Sequence, residues 1–179
     1  MLWYCLGGYI VAAHASTPPV LVLQDAATSY PLLGHWAMLR DASASLDINA
    51  VADPRRASDF TPLSGDLALG YSSDAVWLRF AVQRAVGAPD EWWLSMEPGF
   101  LNNLTLYLPQ PEGGFITQHS GTHIPLKERP IALPEAVFPV NFTQLMPEGT
   151  ASVVMYLRLE RALLHKSLLK AMAWCRLTG

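Results

Sequence analysis

The chain is poor in charge and nearly free of cysteine. Charged residues make up 15 % of its 179 positions, well under the quarter usual in soluble domains. The formal net charge is −3. No stretch clusters Lys and Arg as a phosphate-neutralising surface requires, so nucleic acid is not expected as a partner. The two cysteines, Cys5 and Cys175, stand near opposite ends and outside any Cys-x-x-Cys pair, which leaves no paired metal or redox motif. No segment holds the roughly 18–20 consecutive apolar residues that span a bilayer as a helix.

Catalytic signatures are missing as well. Ser64-Gly65 and Ser72-Ser73 lack the Gly-x-Ser-x-Gly frame of a nucleophile elbow. Gly113-Gly114 lacks the following helix and Lys-Ser/Thr pair of a phosphate loop. His119 and His123 are four apart, but on a loop flanked by Gly and Pro, where that spacing does not aim both at one ion. The carboxylates, from Asp25 to Glu97, are scattered, and nothing in the sequence pairs two of them across a bond as glycoside chemistry needs. The expectation is a non-enzyme with no cofactor and no metal.

What is present is apolar and turn-rich: 51 % hydrophobic residues, 14 Pro, 12 Gly and 6 Trp, enough for a sizeable core. Residues 1–15 read as a signal peptide, an apolar run closed by Ala13-His14-Ala15; a buried amino-terminal strand is the alternative. Residues 20–160 read as one β domain. Val20-Leu21-Val22-Leu23 opens it as a strand. Asp25 to Arg40 has no clean period and is expected as an irregular wrap with Trp36 packed. Asn49 to Arg56 is expected as a short helical turn capped by Asp47. In Ala75–Val82 the apolar set Val76, Leu78, Phe80 and Val82 should face the core, opposite Trp77 and Arg79. Glu91–Glu97 is a strand in which Trp92 and Trp93 must point to opposite faces. Leu104, Leu106 and Leu108 are the core set of the next strand, opposite Thr105 and Tyr107, and Phe115 begins its hairpin partner. Gly121 to Pro134 is an extended loop. Pro139 marks Val137–Phe142 as an edge strand or bulge, and Val153, Met155, Leu157 and Leu159 are the core set of a last strand. Short strands between Gly/Pro turns favour two packed antiparallel sheets. Residues 161–179 change character: Leu164, Leu168 and Met172 recur at four-residue spacing, which predicts a helical tail.

Aromatic and guanidinium groups are the remaining candidates for function. Trp36, Tyr71, Trp77, Trp92, Trp93 and Tyr107 can supply rings that stack on a sugar while polar groups bond its hydroxyls. Trp77 and Arg79 share a face that either lines a ligand surface or lies beneath a covering loop. If covered, Arg79 needs a carboxylate, expected from Asp66 to Asp74.

From Val22 to Glu160 the order of landmarks resembles the second type of extracellular sensory domain of bacterial seven-transmembrane receptors with diverse intracellular signalling modules. The landmarks are Asp25 with Tyr30-Pro31-Leu32, Phe60 with Pro62-Leu63, Leu69-Gly70-Tyr71-Ser72, Ala75-Val76-Trp77-Leu78-Arg79-Phe80, Leu104 to Pro109, Arg129-Pro130-Ile131, Phe138-Pro139 and Tyr156-Leu157-Arg158. The resemblance implies an all-β, jelly-roll-like antiparallel sandwich. It also implies a site on the periplasmic or extracellular face of a bacterial inner membrane, and a carbohydrate or other small-molecule ligand. A histidine kinase or diguanylate cyclase is the common output module of such receptors, and a homodimer is a further expected form. Candidate ligand residues are Trp77, Arg79, Trp92, Trp93, Tyr107 and Arg129. Membrane association would come only through a downstream segment. Such domains continue with further strands where this chain has Arg161 to Gly179, so a jelly roll short of its last strand or strands is expected. A truncated or frameshifted product and a stand-alone secreted carbohydrate-binding module with a helical end both stay open.

Overall fold

The computed structural model describes residues 17–65, 67–68, 74–97, 101–146, 152–160, 168–169 and 171–176; of 67–68, 168–169 and 171–172 it describes the backbone alone. The signal-peptide segment, the turn at 70–73 and Asp66 lie outside the described residues.

The strands, in chain order, are β1 (Leu21–Leu23), β2 (Ser29–Pro31), β3 (Trp36–Asp41), β4 (Thr61–Leu63), β5 (Leu67–Ala68), β6 (Ala75–Arg84), β7 (Glu91–Glu97), β8 (Asn103–Pro109), β9 (Phe115–Ser120), β10 (Ala136–Asn141), β11 (Val153–Glu160), β12 (Leu168–Leu169) and β13 (Ala171–Cys175). Two short helices, α1 (Ile48–Val51) and α2 (Phe142–Leu145), interrupt them. Among the described residues, a larger sheet runs β4-β3-β6-β11-β8-β9, with β1 pairing in parallel along the end of β6. A smaller sheet runs β10-β7-β13-β2, and β12 pairs with β5. The ladders other than β1–β6 are antiparallel. The fold is an all-β sandwich.

Alternation explains the core. Val76, Leu78, Phe80 and Val82 on β6, Leu104, Leu106 and Leu108 on β8, and Val153, Met155, Leu157 and Leu159 on β11 meet Trp92, Leu94, Met96, Phe138, Val140 and Trp174 of the smaller sheet in one buried cluster. Every second residue of a strand points the same way, so the register Leu78↔Leu157↔Leu106 carries three apolar side chains to the same level. Pro139 lies on β10, an edge strand of the smaller sheet, as its missing N–H requires.

Two expectations are corrected. The first concerns Asp25 to Arg40, which is not an irregular wrap: it contains β2 and β3. Trp36 faces the main core while Ala37 faces a second apolar cluster on the other side of the sheet. With both faces of β3 covered, its apolar residues are not confined to alternate positions, and the period that would have marked the strand is lost.

The second concerns the tail. Residues 171–175 are a strand and not a helix, inserted between β7 and β2. The four-residue spacing of Leu164, Leu168 and Met172 is a local signal. The vacant edges of β7 and β2 are a non-local one, and each needs hydrogen-bond partners. Pairing of Trp174 with Leu94 on one side and Tyr30 on the other satisfies both edges. It also buries the Trp174 ring completely, at a centroid distance of 5.7 Å from Phe142. Arg176 then closes the strand with an ion pair to Asp25. The tail therefore supplies a strand that the sandwich was expected to lack.

Between β3 and β4 the chain makes an excursion over the outer face of the larger sheet. Asp41, 4 % exposed, begins it. Its carboxylate accepts from Ser43 N (3.1 Å), Ser43 Oγ (2.6 Å) and Leu46 N (2.9 Å). Burial alone would push this carboxyl up, but the hydrogen bonds from Ser43 and from the amides of Leu46 and Ala44 outweigh it and hold the group below its ordinary value. Asp47 then caps α1 through Ala50 N (2.8 Å), as its position predicts. A carboxyl lowered in the folded state stabilises above its unfolded titration and stops doing so as pH falls through the folded one. Asp41→Asn should therefore cost about 1–2 kcal/mol at pH 7. The gap between wild type and variant should narrow as pH falls past the ordinary carboxyl range and through the lower folded value, where the wild-type carboxyl protonates. Urea midpoints from neutral pH down an acid series check this; a gap that stays constant with pH would show that the carboxylate charge is not what holds the loop.

Candidate functional site: the outer face of the larger sheet

The face of the larger sheet turned away from the core carries Trp77 and Arg79 from β6, Tyr156, Arg158 and Glu160 from β11, Thr105 and Tyr107 from β8, and Phe115 and His119 from β9. The registers Trp77↔Arg158↔Thr105↔His119 and Arg79↔Tyr156↔Tyr107↔Thr117 set them in rows across the strands. Rings fill the middle of this face. Trp77 and Tyr107 lie 5.3 Å apart at 32°, Tyr107 meets Phe115 edge-on at 6.4 Å, and Phe115 meets Tyr156 edge-on at 6.0 Å. Phe60, arriving from the excursion, adds a contact with Tyr156 at 6.2 Å.

Arg158 organises the polar part. Its guanidinium lies 5.3 Å from the Trp77 ring, donates from Nη2 to Ala44 O at 2.8 Å, and pairs through Nη1 with Glu160 Oε1 at 2.7 Å. A cation over an indole face is attracted by the ring quadrupole, more strongly where water is excluded. Burial raises the titration of the Tyr107 hydroxyl, against an opposing pull from the charge and hydrogen bond of Arg158, and the hydroxyl stays a neutral phenol. Beside it, Thr105 Oγ1 and His119 Nδ1 lie 3.1 Å apart. Tyr107, Phe115, Thr105, Arg158 and Glu160 are half-buried, and Thr117 and His119 are exposed. The face thus offers rings and hydrogen-bonding groups together at its solvent side, where a flat polar ligand with apolar ring faces can lie.

Of the six candidate residues, the structure sets Trp77, Arg79 and Tyr107 on this face and brings Trp77 and Tyr107 into ring contact. Trp77 is 0 % exposed, beneath the excursion, so it supports the face and does not touch a ligand in this conformation. Trp92 is also completely buried. Its ring packs in the core, edge-on to Tyr30 at 5.7 Å, and its Nε1 donates to Pro89 O at 2.8 Å. The alternation of Trp92 and Trp93 holds, and the inner one is no surface ligand. Trp93 is half-buried on the outer face of the smaller sheet, in register with Cys175 and Pro139, away from Tyr107. Arg79 lines a shallow cleft with Thr17, Pro18 and Ala81 that has room for about one water. Of the stretch from Asp66 to Asp74 expected to supply its carboxylate, Asp74 lies 3.7 Å from Arg40 and Asp66 is outside the described residues. Arg129 donates from Nε to Ile124 O (3.0 Å) and from Nη1 to Leu133 O (2.9 Å) and Pro134 O (3.0 Å), gathering the two ends of its own loop.

Sequence reasoning missed Phe115, Tyr156, Arg158, Thr105 and His119 as a group. The signal was there in part: the residues of β11 alternating with Val153, Met155, Leu157 and Leu159 are Val154, Tyr156, Arg158 and Glu160, and a non-core face bearing a ring and a charge pair is a candidate surface.

The family model described as 7TMR-DISM extracellular 2 matches residues 33–166. No curated protein matches the chain.

Proposed function

The chain belongs to the 7TMR-DISM extracellular 2 family, and from that premise we propose that it is a non-catalytic sensory domain which binds a carbohydrate or other small molecule on the outer face of its larger sheet. The family places it outside the cytoplasm, as an extracellular sensory domain. The proposal adds the periplasmic side of a bacterial inner membrane, the jelly-roll-like form of the sandwich, and the ligand class. One observation supports the site above the others: half-buried Tyr107 and Phe115 lie next to the row that carries two polar pairs, Thr105 with His119 and Arg158 with Glu160. A pyranose has apolar ring faces and hydroxyls at its rim, and this arrangement answers both. The positive charge of Arg158 is already balanced by Glu160, so a neutral sugar fits better than an acidic one.

The test is a glycan array followed by titration calorimetry. Tyr107→Ala should weaken binding of an array-selected neutral glycan at least about tenfold, or about 1.4 kcal/mol, with an unchanged far-ultraviolet spectrum. Tyr107→Phe should retain most of the affinity if stacking dominates. Equal affinity of wild type and Tyr107→Ala would remove this face as the site.

A further inference from the structure

We infer that residues 42–60 form a cap with a small core of its own, that Arg158 sets how readily this cap opens, and that the cap is thereby coupled to the face on which a ligand would lie. The last part rests on the reading of the outer face as the binding site; the first two do not.

Two buried apolar clusters exist among the described residues. The main one lies between the sheets. The second lies on the other side of the larger sheet and consists of Ala37, Val51, Phe60, Trp77 and Tyr156, with Leu39, Leu46, Ile48 and Ala52 packed against it. Leu46, Ile48, Val51, Ala52 and Phe60 come from the excursion. They can leave the sheet without disturbing a contact between the sheets, and an element with its own small cluster is the kind that opens separately from the global fold.

The cap is held at its root by the Asp41 carboxylate and, across to β11, by Arg158. The chain leaves β3 at Asp41, and Ala44 takes φ 52°, a left-handed conformation that is strained for an L-residue and persists where surroundings enforce it. The Ala44 carbonyl accepts from Arg158 Nη2. The same guanidinium covers Trp77, the largest ring beneath the cap, and binds Glu160, which is half-exposed on the outer face. One side chain therefore grips the cap from below and meets solvent beside Tyr107. Its Nε is buried without a hydrogen-bond partner in the described structure. A group arriving at Glu160 or Tyr107 must change how this guanidinium is shared, and with it the hold on Ala44. A ligand shifts such an equilibrium only by its differential affinity for the two states.

Amide hydrogen exchange tests this without any ligand. The probes are Val51 N and Ala52 N, bonded to Asp47 O and Ile48 O inside the cap, against amides of the β7–β10 ladder in the smaller sheet. Arg158→Met should speed exchange of the cap probes at least tenfold and leave the smaller sheet at wild-type rates. Arg158→Lys, which keeps the charge opposite Glu160 but not the planar fork, should do the same and serves if the methionine variant does not fold. Equal acceleration in both sheets, or none in the cap, overturns the anchoring role. For the coupling, Glu160→Gln should speed cap exchange at least threefold in the wild-type background and not further in Arg158→Met. The same change in both backgrounds, or none in either, overturns it. A glycan array without a hit would count against the ligand reading and would leave these rates as they are.

Discussion

A chain ended after Glu160 is expected to lose its cooperative fold, and Trp174→Ala alone to lower stability by about 3–5 kcal/mol. Trp174 is 0 % exposed and belongs to the core between the sheets. Its strand, β13, is interior to the smaller sheet, paired to β7 over Ala171↔Glu97 to Cys175↔Trp93 and to β2 over Ala173↔Pro31 to Cys175↔Ser29. Removing it takes away both ladders, leaves the facing edges of β7 and β2 without partners, and opens the core beside Phe142. Against a total of about 5–15 kcal/mol for a domain, the loss of a central strand is not survivable as a two-state fold. Urea unfolding followed by tryptophan fluorescence, with dye binding to detect exposed apolar surface, reads the outcome. A shortened chain with the full-length midpoint would mean that the smaller sheet stands without β13.

Gly121→Ala is expected to cost about 3–5 kcal/mol, an exceptional value for one added methyl. Gly121 follows β9 at φ +119°, a region that L side chains rarely adopt. A Cβ there would lie 2.7 Å from Leu101 O and press also on Asn102 O, both backbone atoms that cannot swing aside. The approach is close because the β8–β9 hairpin continues past its strands: Thr122 N donates to Leu101 O (2.8 Å), His123 N to Asn102 O (3.1 Å), and Thr122 Oγ1 to Asn102 Oδ1 (3.1 Å). The soluble yield of the variant and its thermal midpoint measure the effect. A midpoint within a few degrees of wild type would mean that the backbone yields at little cost.

How far the sequence foretells the molecule depends on whether the deciding contacts are local. Val76-x-Leu78-x-Phe80-x-Val82 alternates, and it faces the core as alternation says. Asp47 before an apolar turn caps α1, and Pro139 lies on an edge strand. Each of these is a property of a few neighbouring residues. The tail is different, since its strand exists because β7 and β2, far away in the chain, lack partners. The site is different for a related reason. Trp77 has the sequence profile of a ligand-facing ring, on the non-core face and beside Arg79. Its burial is decided by residues 42–60, which fold over it. Arg158 was visible as a strand residue, but its meeting with Ala44, Trp77 and Glu160 takes three segments of chain.

The proline on β10 has a consequence for how molecules of this kind behave in company. Pro139 O accepts from Gln118 Nε2 at 2.7 Å, so its carbonyl points away from β7, toward the side where another strand would dock. Its nitrogen, which faces the same way, carries no hydrogen. At the middle of that flank one donor is chemically missing and the matching acceptor is already occupied. An incoming extended segment would find its ladder broken at the centre, so templated stacking of one copy on the next is blocked along this flank by covalent structure and one glutamine side chain.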